Sequence, residues 1–405
     1  EITAPRVAFL RDAMIKGVLP LHMPDASALR GITDRFMSLP DMLLSPQIIL
    51  LRFMEVGPFI LVNTLLFYSL GVWGLLWFRR RFSLSLVSFT ALFFLFNFNG
   101  HILAHYSVGH VTWAGYFLFP WLLALTFQLL DGDHSWAWVA KTSLLMFFMY
   151  LQGSFHQFIW AVLFLSLLAV ANWKHFWTVV KALVFAVLLS LVRILPPVLL
   201  LNQFDNEFLG GYPSVWDMLQ SMIVIKFPAD SLSVRSMLSV LGWWEYDLYL
   251  GLLGAAFLLY FGVFRWLANR RSDLGYPQFI VPVMGLFAFS VGRVYRLMLL
   301  IPVPIFSGER ASIRMIILPV VLLLIIGAVE FQDWLRKHLI QTTPAVQVAG
   351  LGALLLLAHD LWQHLKAWQV TNAFPAFPET PVNLAIKVVA NHPDPPYTTM
   401  LLVGA

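Results

Sequence analysis

Four groups of residues in this 405-residue chain have side chains able to do chemistry. The first is a set of carboxylates near the start: Glu1, Asp12, Asp25, Asp34 and Asp41. A carboxylate beside a reacting hydroxyl acts as a general base, and oxygen ligands of this kind also hold a divalent cation. Solvated loop acids are the plainer reading of each one taken singly. The second group is His101, His105 and His110, in the run Asn99-Gly100-His101-Ile102-Leu103-Ala104-His105-Tyr106-Ser107-Val108-Gly109-His110. His101 and His105 are four apart, so a helix places them on one face. That spacing suits a metal ion, without a nearby Glu or Cys to complete a site. His105 or His110 is also a possible axial ligand for a haem or chlorin, a donor to a phosphate, or simply a packed side chain.

The third group is made of arginines. Arg193 stands inside an apolar run, Leu191-Val192-Arg193-Ile194-Leu195-Pro196-Pro197. A guanidinium in hydrocarbon costs at least about 2.5–3.5 kcal/mol, so it must pair, snorkel or face water. Arg293, Arg296, Arg310 and Arg314 crowd a later segment. Guanidinium is suited to two-point contact with phosphate or carboxylate, and lipid headgroup anchoring is the alternative. The fourth group is Trp243-Trp244-Glu245-Tyr246-Asp247. Aromatic rings beside carboxylates hold sugars through CH–π contacts and hydroxyl hydrogen bonds. An interfacial aromatic belt accounts for the same residues.

The elements that must position these groups are set by composition. The chain is 60% hydrophobic and only 12% charged, against about 25% charged in soluble domains. The bilayer is therefore the solvent for most of it. Apolar runs fall at 56–78, 82–98, 113–130, 136–151, 154–172, 176–201, 248–267, 277–292, 314–335 and 344–365. These predict an all-α integral membrane protein, a polytopic bundle of about ten spans. Basic clusters alternate along it: Arg79-Arg80-Arg81, Lys174, Arg265 with Arg270 and Arg271, and Arg336-Lys337. The positive-inside rule puts these on one, cytoplasmic, side, together with the loop at 131–135. Residues 1–55, 99–112, 152–153, 202–247, 293–313 and the tail then lie outside. An outside start implies a further helix upstream of Glu1, for eleven spans in all. The organisation is thus a first extracytoplasmic loop at 1–55, a bundle at 56–372 containing the long loop 202–247, and an extracytoplasmic tail at 373–405. That tail begins as an extended, Pro-rich linker from Ala373 and has room for the start of a truncated domain. A helical stretch is expected from Val7 to Gly17.

Several chemistries are excluded. With no Cys there are no disulfides, thiolate metal sites or Cys nucleophiles. Walker A, Rossmann and HExxH patterns are lacking. The net charge of +5 resides at span ends, which argues against nucleic acid as a partner. No internal repeat stands out, which argues against a transporter.

Several short motifs resemble those of the bacterial polytopic GT-C glycosyltransferases, which use polyprenyl-phosphate-linked sugars. Lys16-Gly17-Val18-Leu19-Pro20-Leu21 is similar to a segment of that family's first outer loop. Gly109-His110 with Tyr116 and Pro120-Trp121, and Gln152-Gly153-Ser154-Phe155-His156, resemble two further segments. Trp244-Glu245-Tyr246 with Tyr249-Leu250-Gly251, and Arg310-Ala311-Ser312-Ile313-Arg314, complete the likeness. The resemblance implies a sugar transferred from a polyprenyl-phosphate donor to an unidentified acceptor on the extracytoplasmic face of the inner (cytoplasmic) membrane. It implies inversion, with Glu1 as the catalytic carboxylate at the end of an acidic motif. Arg193, Arg310 and Arg314 would bind the phosphate, and His105, His110, Trp244 and Glu245 the substrate. It leaves room for a divalent cation, Mg or Mn. Two other readings stay open. One is a non-catalytic subunit or scaffold of a larger electron-transfer or light-harvesting complex, with other membrane subunits and lipids as partners. The other is a lipid-linked-sugar flippase.

Overall fold

The computed structural model describes residues 3–17, 42–198, 209–226, 242–301, 306, 308–339, 344–369 and 402–404. Glu1, Pro20, Asp25, Asp34, Asp41 and the linker from Ala373 lie outside them.

The described elements are helical, and the one β-bridge is an isolated parallel contact between Tyr212 and Val291. The first-loop helix expected from Val7 is α1, Thr3–Lys16. It is followed by α2 (Val56–Phe82), α3 (Leu86–Asn97), α4 (Gly100–Ser107), a 3₁₀ segment Val111–Leu118 running into α5 (Phe119–Leu130), α6 (Trp136–Leu151), α7 (Phe155–Ala171) and α8 (Phe176–Val198). Then come a short α9 (Val215–Ser221) and α10 (Gly251–Phe257), which continues as a π-helix, Leu258–Arg265, into α11 (Trp266–Asn269). The chain closes with α12 (Ile280–Phe289), a 3₁₀ turn Ser312–Ile316 entering α13 (Ile317–Leu339), and α14 (Pro344–Trp368).

Local chemistry sets several starts. Ser85, Asn99, Ser135 and Ser214 each accept a backbone N–H from the first turn of the following helix, which satisfies a donor the helix cannot. At 27 residues α2 is about 40 Å long at 1.5 Å per residue, longer than a hydrocarbon core of about 30 Å. Among the described residues six helical runs are long and apolar enough to cross a membrane: Val56–Phe82, Leu86–Ser107, Val111–Leu130, Trp173–Leu195, Gly251–Asn269 and Ser312–His338. Trp136–Leu151, Phe155–Ala171 and Ile280–Phe289 are apolar but shorter.

Burial separates centre from periphery. In Ser312–His338, 94% of the most apolar window is buried, against 28% in Trp173–Leu195. A helix apolar all round belongs in a core, and α13 packs on α3, α12 and the π-segment. Gly262 lets that approach happen: a Cβ there would stand 2.5 Å from the Leu323 carbonyl. On the outer helices Leu61, Leu65, Trp73, Leu188 and Phe264 are exposed. Water would penalise so much bare apolar surface, and lipid would not. The chain is an all-α polytopic membrane protein.

The connections gather at two ends. At one, Arg81 forks onto Asp131 at 2.6 and 2.9 Å, Arg336 Nη2 donates to the Ser83 carbonyl at 3.0 Å, and Arg271 pairs with Asp273 and Asp333. Buried Glu330 accepts from Arg265 at 3.2 Å and Asn269 at 2.6 Å. The basic clusters at 79–81, 265–271 and 336–337 thus share this basic end, and the 131–135 loop joins them. At the other end, Tyr212 N donates to Ser290 O at 2.7 Å, Leu209 N to Arg310 O at 2.9 Å, and Gly100 N to Tyr249 O at 2.8 Å. The segments at 99–112, 209–226, 242–250 and 290–314 meet here, in a loop end. The long loop at 202–247 contains α9, an element its sequence did not announce.

If the two ends lie on opposite membrane faces, Arg79→Cys and Gln220→Cys in this Cys-free chain will react with an impermeant thiol reagent from opposite sides of sealed vesicles. Labelling of both from one side would break the arrangement.

Candidate functional site

The loop end contains a buried polar cluster assembled from five elements. Arg314 sits in the 3₁₀ turn that opens α13, and its Nε and Nη2 grip both oxygens of Glu245. Trp244 Nε1 donates to Glu245 Oε1 at 3.2 Å. On its other side Arg314 Nη1 lies 3.0 Å from His156 Nε2. His156, in the first turn of α7, faces Glu309 Oε2 through Nδ1 at 3.0 Å, and Trp160 Nε1 donates to the same oxygen at 2.9 Å. The Arg314 guanidinium stands over the Trp113 ring at 5.3 Å, a favourable cation–π placement.

Trp113 ties the histidines to this group. Its Nε1 donates to His101 Nε2 at 3.0 Å, and its ring stacks on His105 at 4.2 Å. His105 and His110 meet through their Nδ1 atoms at 2.9 Å. His105 Nε2 points toward Glu245 Oε2 at 4.0 Å, beyond hydrogen-bond reach. The shared face expected of His101 and His105 is real, with ring centres 4.8 Å apart, but each ring serves this aromatic and polar packing.

Close backbone approach puts the Glu245 turn in place. A Cβ on Gly100 would fall 1.8 Å from Asp247 Oδ1, so only glycine lets α4 start here. Asp247 is buried and locked from α14: His364 Nε2 meets its Oδ2 at 2.8 Å and Trp368 Nε1 donates to it at 2.7 Å. Tyr249 OH donates to Asp360 at 2.6 Å and its ring stacks on His364.

Of the residues expected at a site, Arg314, Glu245, Trp244, His105 and His110 come together. The described contacts of Arg193 lie elsewhere: Nη1 donates to the Leu151 carbonyl at 3.1 Å and the guanidinium covers Tyr150. Pairing inside the bundle is what its position in an apolar helix demanded. Arg310 is half-buried on the same segment as Arg314, its carbonyl held by Leu209. Glu1 lies outside the described residues. Trp113, Trp160 and Glu309 were missed as site residues, and His156 was noted only within a motif. Asp360, His364 and Trp368 repeat every fourth position on an apolar helix, a polar stripe that would have flagged the α14 lock.

Both oxygens of Glu245 are held by Arg314, and Glu309 Oε2 by His156 and Trp160. Among the described residues no group of three His, Asp or Glu is placed to hold a metal ion. Burial by itself would raise the Glu309 carboxyl, but His156, Arg314 and Trp160 outweigh it and hold it below the ordinary carboxylate range. Burial also depresses His110, to about 4, with Glu245 opposing the shift.

No protein-family model, curated protein or solved structure matches this chain. Function must then be argued from the site.

Removing one partner of a buried pair strands the other, at about 3–5 kcal/mol. Arg314→Ala and Glu245→Ala are each expected to lower the melting temperature in detergent, and the double variant to lose much less than their sum. Additive losses would show that the pair is not coupled. A second expectation concerns pH. The folded His110 binds its proton less tightly than an ordinary His, so its neutral form favours the folded state. That contribution is present above about 6.5 and is lost as pH falls toward about 4. His110→Asn will flatten the melting temperature across that window, and an unchanged slope would remove His110 as its source.

Proposed function

We propose that this protein is a GT-C-type membrane glycosyltransferase, moving a sugar from a polyprenyl-phosphate donor to an acceptor with inversion. One junction carries the reading. Arg314 and Ile316 share the 3₁₀ turn Ser312–Ile316. Arg314 enters the polar cluster, while Ile316 lines an apolar groove of about 320 Å³ with Met218, Met222, Leu258, Met284 and Leu323. Every residue along that groove is apolar. A polar head site that meets an apolar channel within one turn suits a substrate with a polar head and a hydrocarbon tail.

The roles follow from what each group has left to offer. The Nε–Nη2 edge of Arg314 is held by Glu245, so its direction is fixed; the second hydrogen of Nη2 remains for a phosphate oxygen, and Nη1 is shared with His156. Arg310, four residues away, supplies further positive charge for the leaving group. Trp244 and Glu245 offer a ring and a carboxylate to the sugar, with His105 and His110 behind them. Glu1 remains the loop-one carboxylate that the resemblance assigns as base. Read by the positive-inside rule, the alternating basic clusters favour the cytoplasm of a cell with an inner membrane for the basic end. The loop end then faces the opposite side, where polyprenyl-linked sugars meet their acceptors.

A second reading draws on one observation: the charge of Arg314 is already matched by Glu245. A saturated ion pair suits a non-catalytic membrane subunit equally well. Turnover separates the two. Protein in nanodiscs will be given polyprenyl-phosphate-linked hexoses and N-acetylhexosamines together with a cell-envelope extract as the source of acceptor, and free polyprenyl phosphate followed by mass spectrometry. Glycosyl transfer predicts its release by the wild type, loss with Arg314→Ala, and with Met284→Trp a weaker use of long-chain donors that spares short-chain ones. No release from any donor would sink the reading in favour of the subunit.

A further inference from the structure

His156 and Glu309 have no part in the roles just given, yet their geometry is that of a proton acceptor. A guanidinium can only donate. His156 Nε2, 3.0 Å from Arg314 Nη1, is therefore the lone-pair nitrogen, and the ring proton sits on Nδ1, donated to Glu309. The tautomer follows from the partners. Exposure rises along the dyad: the Glu309 side chain is fully buried, whereas His156 retains 22%. His156 is thus the more open member of the dyad, with its basic nitrogen beside the guanidinium.

The charge balance points the same way. One guanidinium, Arg314, stands among two carboxylates, Glu245 and Glu309. Taken by themselves these three sum to one negative charge, which a proton on His156 balances. The other titratable neighbours are His105 and His110, each coupled electrostatically to His156 from α4 and the turn after it. The Trp113 ring, 5.5 Å away, closes that side.

We propose that His156, oriented by Glu309, is the general base of the transfer set out above, in place of a loop-one carboxylate; the proposal rests on that reading. The acceptor oxygen bonds to the anomeric carbon as its proton passes to His156 Nε2. The bond from the anomeric carbon to the phosphate oxygen breaks, and its electron pair stays on the phosphate. The Arg314 Nη1–H, until then directed at Nε2, turns to that phosphate as Nε2 is protonated. The imidazolium then lies between the phosphate and Glu309, two anions that favour its charged form. Loss of the proton to water resets the site.

The product state can be tested without knowing sugar or acceptor, with farnesyl phosphate as the probe. Calorimetric titration in buffers of different ionisation enthalpy counts protons taken up on binding. It is run about two units above the phosphate's second pKa of about 6, where the ligand is already a dianion. Binding to the wild type is expected to take up about one proton per ligand. His156→Gln should bind and take up none, Glu309→Gln should take up less, and His338→Gln, exposed at the basic end, should match the wild type. Equal uptake by the wild type and His156→Gln would overturn His156 as base while leaving the phosphate site standing. Absence of binding to the wild type would remove the donor reading and this inference with it. Should His156→Gln fail to fold, the comparison of Glu309→Gln with the wild type decides alone, equal uptake overturning the proposal.

Discussion

A guanidinium buried at the mouth of an apolar bundle organises the loop end. Arg314 enters on the turn that starts the most buried helix, so it cannot snorkel to water. Its charge has to be met by protein, and Glu245 meets it with two hydrogen bonds. Glu245 is itself buried and would be costly without that partner. The pair therefore fixes the 242–249 turn against the start of α13, elements nearly 70 residues apart in sequence. Gly100 lets α4 close onto the same turn, and the α14 lock on Asp247 holds it from behind.

The same reasoning explains why the polar atoms collect at an end and not in the middle. The core of the bundle is aliphatic and aromatic, with α13 shielded on all sides. Polar side chains survive there only where partners converge, and convergence needs several chain segments. Connections supply those segments. The basic end uses them for stability, in the Arg265–Glu330 and Arg271–Asp333 contacts that tie the residues flanking α11 to α13. The loop end uses them to assemble a cluster that is partly open, through His156, and that adjoins an apolar groove.

Much of the architecture was legible in the sequence because its cause is local. Apolar runs and alternating basic clusters are read residue by residue, and the clusters at 79–81, 265–271 and 336–337 do share one end. The helical first-loop segment was legible too, and Arg314 and Glu245 were each singled out, though not as a pair. The rest depends on contacts between distant positions. His156 and Glu309 are 153 residues apart, and the motif that contains His156 gives no hint of its partner. Arg193 looked like an anion ligand because a buried guanidinium demands a partner. The demand was real, and a carbonyl and a tyrosine ring are among the groups that meet it. The 277–292 run gives a helix of only ten residues, Ile280–Phe289, since the turn at Gly275 and the bridge at Val291 take up its ends.

The pairing of Arg314 with Glu245 also constrains any chemistry at this end. A guanidinium already neutralised adds direction more than net charge, so a phosphate arriving there brings negative charge to a set, Arg314 with Glu245 and Glu309, that already sums to one negative charge. Some positive charge must come with it. Arg310 is placed on the right segment to give part, and a proton is the other source. His156 is the group whose lone pair faces the guanidinium, and Glu309 is there to balance the imidazolium. Proton uptake and phosphate binding are then linked by electrostatics: each makes the other more favourable, and the cluster approaches neutrality only when both the proton and the added cation are in place.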